Sequence, residues 1–495
     1  RYYCREHLGT LLGAILAAAI LTGALAVGDS VRYSLRQKAL ARIGKVTLAL
    51  TSPGRFFRAS LADGLASDLK APIAPIVLLP AAATDSNGEL RAGGVQALGV
   101  DERFFALAPK ASNIELSADS VVLSPALAGQ LKARVGDEVV LRVDKPSLLS
   151  RDAPLSTIED ATVALRLKVA KIATENEFAE FGLSANQLPA LNAILPIAAL
   201  RKAVGMEERA NALLLGGNPD SVAATSALWA RWTPDDSGLE LREGPRLLEL
   251  RTKRVFLDPP VGEAALSAQP NSQGVLTYFV NGLKLGSKET PYSAVTAIDS
   301  PVTEGLTENE VAVNTWLAED LGAKVGDGLT VRYWIVGQQR RLEEKTTTLR
   351  IKRIVPLTGE AADPTLMPDI PGLSDKKNCR DWEPGVPVDL NKIRDKDQAY
   401  WDKYRGAPKA FLRLAAGQKL WNNRFGNLTA VRYPAGGGEK DEKRITACVM
   451  QALSPASQGV FFVPLRERAL AASSSATDFG VLFIGFSLFL LVSAL

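Results

Sequence analysis

One histidine, His7, and three cysteines, Cys4, Cys379 and Cys448, are all that 495 residues contain of two common metal-ligating side chains. A structural zinc site takes four ligands, and haem and iron–sulfur centres draw on the same set, so most chemistry of these cofactors is excluded. A disulfide scaffold is excluded on the same count. His7 borders an apolar run, which leaves the long central region without a histidine and rules out a Ser-His-Asp triad there. No G-x-x-x-x-G-K-[ST] segment is present to cradle phosphates, and no G-x-S-x-G to present a nucleophilic serine. Charge of one sign is also missing. The 58 basic and 54 acidic residues leave a net +4, which makes no case for nucleic-acid binding. Paired carboxylates for glycoside hydrolysis have no linear signature, so the acidic residues neither support nor oppose that chemistry.

Long apolar runs occur only at the ends. Leu8 to Gly28 carries no charge over 21 residues, enough helix to span roughly 30 Å, the thickness of a bilayer core. A signal peptide is the rival reading, but its apolar region is shorter and ends at a small-residue cleavage site, whereas this run continues into a charged helical pattern. Phe479 to Leu495 is a second uncharged stretch of 17 residues, read as a second membrane helix rather than a buried core helix. The chain starts at Arg1 and ends inside that run, and so reads as part of a longer protein. Residues 29–478 lie between the two spans and must return to the same membrane face. The basic residues Arg32, Arg36, Lys38, Arg42 and Lys45 after the first span point that region to the cytoplasm by local count, but the positive-inside rule weakens for long translocated regions. On residues alone the orientation stays open.

After Gly28, Val31, Leu35, Ala39 and Ile43 recur every fourth position and predict a narrow apolar stripe on a stalk helix over 29–45. Asp29 and Ser30 offer the alternative of a fresh helix start. At the far end, Pro464 suits the first helical position of a second stalk over 464–478. The stalks read either as transmitters of motion or as plain connectors.

The central region carries a repeat. Residues 121–143 and 311–333 align without gaps with nine identities in 23 positions: Val121/Val311, Leu127/Leu317, Ala128/Ala318, Leu131/Leu321, Ala133/Ala323, Val135/Val325, Gly136/Gly326, Asp137/Asp327 and Arg142/Arg332. Each copy predicts strand, helix, turn and strand, with Gly136-Asp137 and Gly326-Asp327 closing the turns. Leu165–Lys168 echoes Leu349–Lys352, and the segment from Asn192 echoes that from Lys409, with Ala193 matching Ala410. The expected fold class is therefore α+β, with two related modules flanked by two membrane helices and their stalks. Its boundaries are 1–28 for the N-terminal end and first span (8–28), 29–45 for the stalk and 46–218 for the first module. The second module is 219–463, followed by the second stalk, 464–478, and the second span, 479–495.

The second module carries a Pro-rich, highly charged insertion, 356–408. Its aspartates do not match an EF-hand loop, so a solvated, ordered surface loop is expected. Its aromatic residues Trp382, Tyr400, Trp401 and Tyr404 are expected to pack on their own module rather than to bind a partner. Cys379 and Cys448 would close a 70-residue loop if paired, and both the pair and two free thiols are open readings.

Taken in order, the first span running into GALAVGDSVRYSLRQKALARIGKV, the two repeat units, and the return through FFVPLRERALAASSSATDFGVLFIGFSLFLLV resemble the first half of an FtsX-like or MacB-like ABC-transporter permease. The resemblance covers essentially the whole sequence, although one periplasmic core domain is usual where this chain has two. It implies an extracytoplasmic central region on the bacterial inner membrane, with further spans after Leu495. It also implies a separate ATPase subunit that binds ATP and magnesium, a second permease copy as homo- or heterodimer, contact with membrane lipid and a periplasmic adaptor. ATP-driven closure would pass through the stalks to the outer region. No cofactor, metal or catalytic residue is expected in this chain, and no nucleic-acid partner. A two-span membrane-anchored sensor and a tethered enzyme are the alternative readings.

Overall fold

A computed structural model describes residues 4–475 apart from 53, 111–113, 147–161, 185–187, 245–246, 338–340 and 435–438, together with Gly485 and Leu488. The expected second span, 479–495, lies almost wholly outside the described residues. In chain order the first half contains helix α1 (Cys4–Ile43) and strands β1 (Val46–Thr51) and β2 (Phe57–Arg58). Helix α2 (Leu61–Leu69) leads to the long strands β3 (Ile73–Asp85) and β4 (Arg91–Val100) and to α3 (Glu102–Ala106). The repeat unit follows as β5 (Ser120–Leu123), α4 (Pro125–Leu131) and β6 (Glu138–Asp144), then β7 (Thr162–Ile172). β8 (Asn192–Pro196), α5 (Ile197–Val204), β9 (Arg209–Ala210), β10 (Ala212–Gly216), α6 (Ser221–Arg231) and α7 (Pro234–Ser237) complete this half.

The second half runs β11 (Leu239–Gly244), β12 (Leu247–Thr252), α8 (Pro259–Ser267), β13 (Gln273–Leu285) and β14 (Lys288–Ile298). Its repeat unit is β15 (Glu310–Asn314), α9 (Thr315–Leu321) and β16 (Gly328–Val336), followed by β17 (Leu342–Val355). Then come α10 (Asp395–Tyr404), β18 (Ala410–Leu412), α11 (Leu414–Leu420), β19 (Ala430–Pro434), α12 (Glu439–Ala452), β20 (Phe461–Pro464) and α13 (Leu465–Ser475).

Among the described residues the strands form two nine-stranded sheets and a two-stranded one, β2-β9. The first is ordered β20-β1-β10-β3-β4-β8-β5-β7-β6, and the second β11-β12-β19-β13-β14-β18-β15-β17-β16. In each, one long strand closes a ring. Ile73–Ile76 of β3 pair with β10, while Ala81–Asp85 at its other end pair with β6. Strands β3, β4, β8, β5, β7 and β6 thus make a six-stranded barrel with no free edge, and β20, β1 and β10 extend it as a sheet. β13 does the same, pairing with β19 near its start and with β16 at Gly282–Lys284. Inside the first barrel, alternate positions of β6 (Val139, Leu141, Val143) meet Val121, Leu127 and Leu167 in a dry core, as period-two patterning demands.

The structure moves several expected boundaries. β20 lies at the edge of the first sheet beside β1, and Ala224, Leu228 and Trp232 of α6 or just after it pack on Leu61 and Leu65 of α2. Arg231 also pairs with Asp68 at 2.5 Å. Residues 221–232 and 461–464 therefore belong with the first sheet, not with a unit starting at 219 and ending at 463, because their apolar faces find their cover there. Pro464, expected to open a helix, is the last residue of β20, and α13 starts one residue later.

The echo between Leu165–Lys168 and Leu349–Lys352 is off by two residues. Lys168 stands opposite Glu138, whereas Arg350 stands opposite Gly328, so Leu167 takes the place of Leu349. A two-residue slip keeps every side chain on its face, so alternation alone cannot detect it. The insertion is also less of a surface loop than its charge suggests. Met367, Ile370, Leu373, Trp382, Ile393 and Trp401 are buried in the second core. Buried arginines fasten its first turn: Arg432 Nη2 donates to Asp363 Oδ2 and Thr365 Oγ1, both at 2.8 Å, and Arg251 Nη2 donates to the Met367 carbonyl at 2.8 Å.

Candidate functional site

The stalk base is where the expected transmission residues meet the folded region. α1 is unbroken through Asp29 and Ser30, so the alternative of a fresh helix start there is not realised. Leu11–Ile43 is long and apolar enough to cross a membrane, with a mean hydropathy of 2.3 in its most apolar window, of which only 6% is buried. Beyond Gly28 the exposure becomes periodic. Val31, Leu35 and Ala39 are half-buried and Ile43 is buried, while residues 32–34 and 36–38 are exposed. Ala39, Leu40 and Ile43 pack with Leu465 and Ala469 of α13, which lies along α1.

α1 ends at Gly44, where φ is +57°. A Cβ there would stand 2.5 Å from the Leu107 carbonyl oxygen and 2.7 Å from the Phe178 ring, so no other residue fits without displacement. The next residue is held from two sides: the Lys45 amide donates to the Leu107 carbonyl at 2.8 Å, and its Nζ to the Ala106 carbonyl at 3.1 Å. One turn earlier, Arg42 reaches Glu180 Oε2 through Nε (3.1 Å) and Nη2 (2.9 Å), and also meets the Leu188 carbonyl at 3.1 Å. Beneath these contacts Phe104, Phe105, Phe178 and Phe181 form a buried aromatic cluster with neighbouring centroids 4.8–5.4 Å apart. The helix end is thus held by its capping glycine, by an ion pair to Glu180 and by hydrogen bonds to the Ala106, Leu107 and Leu188 carbonyls.

The repeat turns are structural. Gly136 (φ +98°) donates to Val169 and Gly326 (φ +102°) to Ile351. The Asp137 and Asp327 carboxylates each accept from a backbone amide three residues earlier, Arg134 and Lys324, both at 2.8 Å. They close turns at the barrel ends.

A second polar feature escaped sequence reasoning. Lys409 is buried, its Nζ 4.3 Å from the Trp316 ring centre, 4.8 Å from that of Tyr400 and 3.9 Å from Asp397 Oδ1. Burial pushes its pKa down to about 8, against the pull of Asp397. Tyr400 and Trp401 thus serve their own module, as expected. Cys379 and Cys448 are both free thiols, so the open disulfide reading closes. Burial raises the Cys379 thiol to about 12.

The Gly44 cap had a sequence signal, a glycine just after a periodic helix. The Arg42–Glu180 pair, 138 positions apart, had none.

No protein-family model and no curated protein matches the chain. Among solved structures it is similar to the periplasmic region of MacB from Actinobacillus actinomycetemcomitans, at 12% identity and a TM-score of 0.25 over 39% of this chain and 84% of that one. It is also similar to the extracellular domain of the noncanonic ABC-type transporter YknZ from Gram-positive bacteria, at 11% identity and a TM-score of 0.25 over 39% of this chain and 94% of that one.

Proposed function

We propose that this chain is the membrane subunit of an ABC transporter of the MacB/FtsX type, in which a separate ATPase drives motion that the stalk helices carry to an extracytoplasmic region. The observation that carries this reading is the root of the stalks. α1 feeds β1 and β20 feeds α13, the two strands are adjacent and antiparallel, and α13 packs back along α1. Both segments leaving the folded region therefore travel together toward one side, as a loop between two membrane spans requires. The sequence resemblance supplies the family, and the ordered repeat units support it.

The two modules are products of one duplication on this reading. Apart from the edge strands β20 and β11, their strands follow the same order, with parallel pairs at β5–β7 and β15–β17 and at β4–β8 and β14–β18. A second permease copy completes the assembly, and the chain lies in a bacterial inner membrane with 46–463 outside. The test is reconstitution of the protein with a P-loop ATPase partner, which on this reading a neighbouring gene encodes. The pair should hydrolyse ATP and the 495-residue chain alone should not. Hydrolysis by the isolated chain, or no association with the ATPase, overturns the assignment.

A further inference from the structure

A cleft of about 460 Å³ separates the two modules, lined by Arg55 and Arg209 of the first and by Lys253 and Arg254 of the second. Its acidic residues are mostly engaged. Asp235 pairs with Arg209 at 2.6 Å, Asp236 with Arg58 at 2.7 Å and Glu240 with Arg242 at 3.1 Å; Asp258, outside the lining, binds Arg55. Glu207, exposed on the rim, is the lining carboxylate with no cation partner among the described residues. Arg254 is different. Its guanidinium is half-buried and donates to no acceptor among the described residues; its backbone amide donates to Thr252 Oγ1. Burial lowers its pKa, the neighbouring Arg55 lowers it further, and Asp258 offsets this only in part. Arg254 thus turns up to five guanidinium donors toward the cleft beside a second cation, Arg55, whose charge Asp258 offsets only in part.

The backbone pays for the same placement. Val255 is fully buried with φ +64°, and the Phe256 amide donates to the Arg254 carbonyl at 2.7 Å. This is the positive-φ form of the γ-turn, rare for any residue and an outlier for a β-branched one. Phe256 and Leu257, next in the chain, are core residues. The strained turn, held by the burial of Val255, Phe256 and Leu257, sends these residues into the core and leaves Arg254 on the cleft wall.

We propose that this cleft binds an oxyanion, a phosphate or carboxylate group of a small solute, with Arg254 as its principal ligand and Lys253 at the mouth. Ligand pockets favour such junctions, and the planar guanidinium fork matches both groups. The site stands independently of the transporter reading.

The test is equilibrium dialysis of the full chain in detergent micelles against labelled inorganic phosphate and, separately, labelled acetate, with chloride holding ionic strength constant. Wild-type protein should bind at least one of them at millimolar concentration, and which one identifies the group. Arg254→Gln should weaken binding by about tenfold or more, while Lys440→Gln, the same charge change on a distant helix, should not. Arg254 has no partner to lose, so the variant should keep the wild-type thermal midpoint, which separates lost binding from lost folding. Binding of neither anion to folded wild-type protein overturns the proposal, as does unchanged binding by Arg254→Gln.

Discussion

Leu48 of β1 and Pro464 of β20 stand opposite each other in an antiparallel pair, although they lie near opposite ends of the chain. Two residues before Leu48 the chain enters β1 from the clasped end of α1, and one residue after Pro464 it enters α13. The pair is thus the rung at which both stalks join the first sheet. A missing proline amide does little harm there, because β20 is an edge strand.

Stalk rigidity is tested by Leu35→Pro. Proline removes a helix hydrogen bond and clashes with the preceding turn, at a local cost of roughly 3 kcal/mol. With the ATPase present, export should be lost while both sheets stay folded, as near-native circular dichroism of the strand signal would report. Full export by this variant would count against α1 as a transmitter.

Gly44→Ala tests the clasp. The added methyl meets the Leu107 carbonyl oxygen and the Phe178 ring, and the positive φ adds strain. The expected loss is about 1–3 kcal/mol, read as a lower denaturation midpoint. An unchanged midpoint would show that the helix end relaxes freely and transmits little.

Topology is tested with the two thiols in a Cys4→Ser background. Cys379 is buried with a raised pKa and should resist a membrane-impermeant maleimide, whereas half-exposed Cys448 should react. Labelling of Cys448 in intact cells (after outer-membrane permeabilisation where one is present) is expected. Reaction only after inner-membrane lysis would place 46–463 in the cytoplasm.

Lys409 predicts a pH dependence. Its pKa falls from 10.5 to about 8 on folding, so between these values the unfolded chain holds a proton that the folded one has released. Stability from this group therefore rises with pH from about 8 to 10.5, and the cost of burying the charge is fully present below pH 8. Asp397, Arg394, Asp320 and Cys379 act on it and set the window. Lys409→Met should remove that rise from the difference between urea denaturation curves at pH 7.5 and pH 10. An identical rise in the variant would assign it to other groups.

Local pattern was enough for the apolar helix at the N-terminus, the four-residue stripe from Val31 to Ile43, the strand–helix–turn–strand units and the glycines at their turns. These depend on hydrophobic period and on positive φ, which neighbours in sequence impose. Even so, alternation left the register of β7 against β17 two residues adrift, since a slip of two preserves every face. Tertiary structure alone decided that each long strand closes a barrel, that β20 returns to sit beside β1, that the charged insertion buries its tryptophans, and that arginines from β12 and β19 fasten its first turn. The same holds for Arg42 with Glu180, the aromatic rings around Lys409 and the solitary Arg254. Each depends on which distant surfaces cover one another, and burial and ion pairing between remote segments leave no period in the chain that carries them.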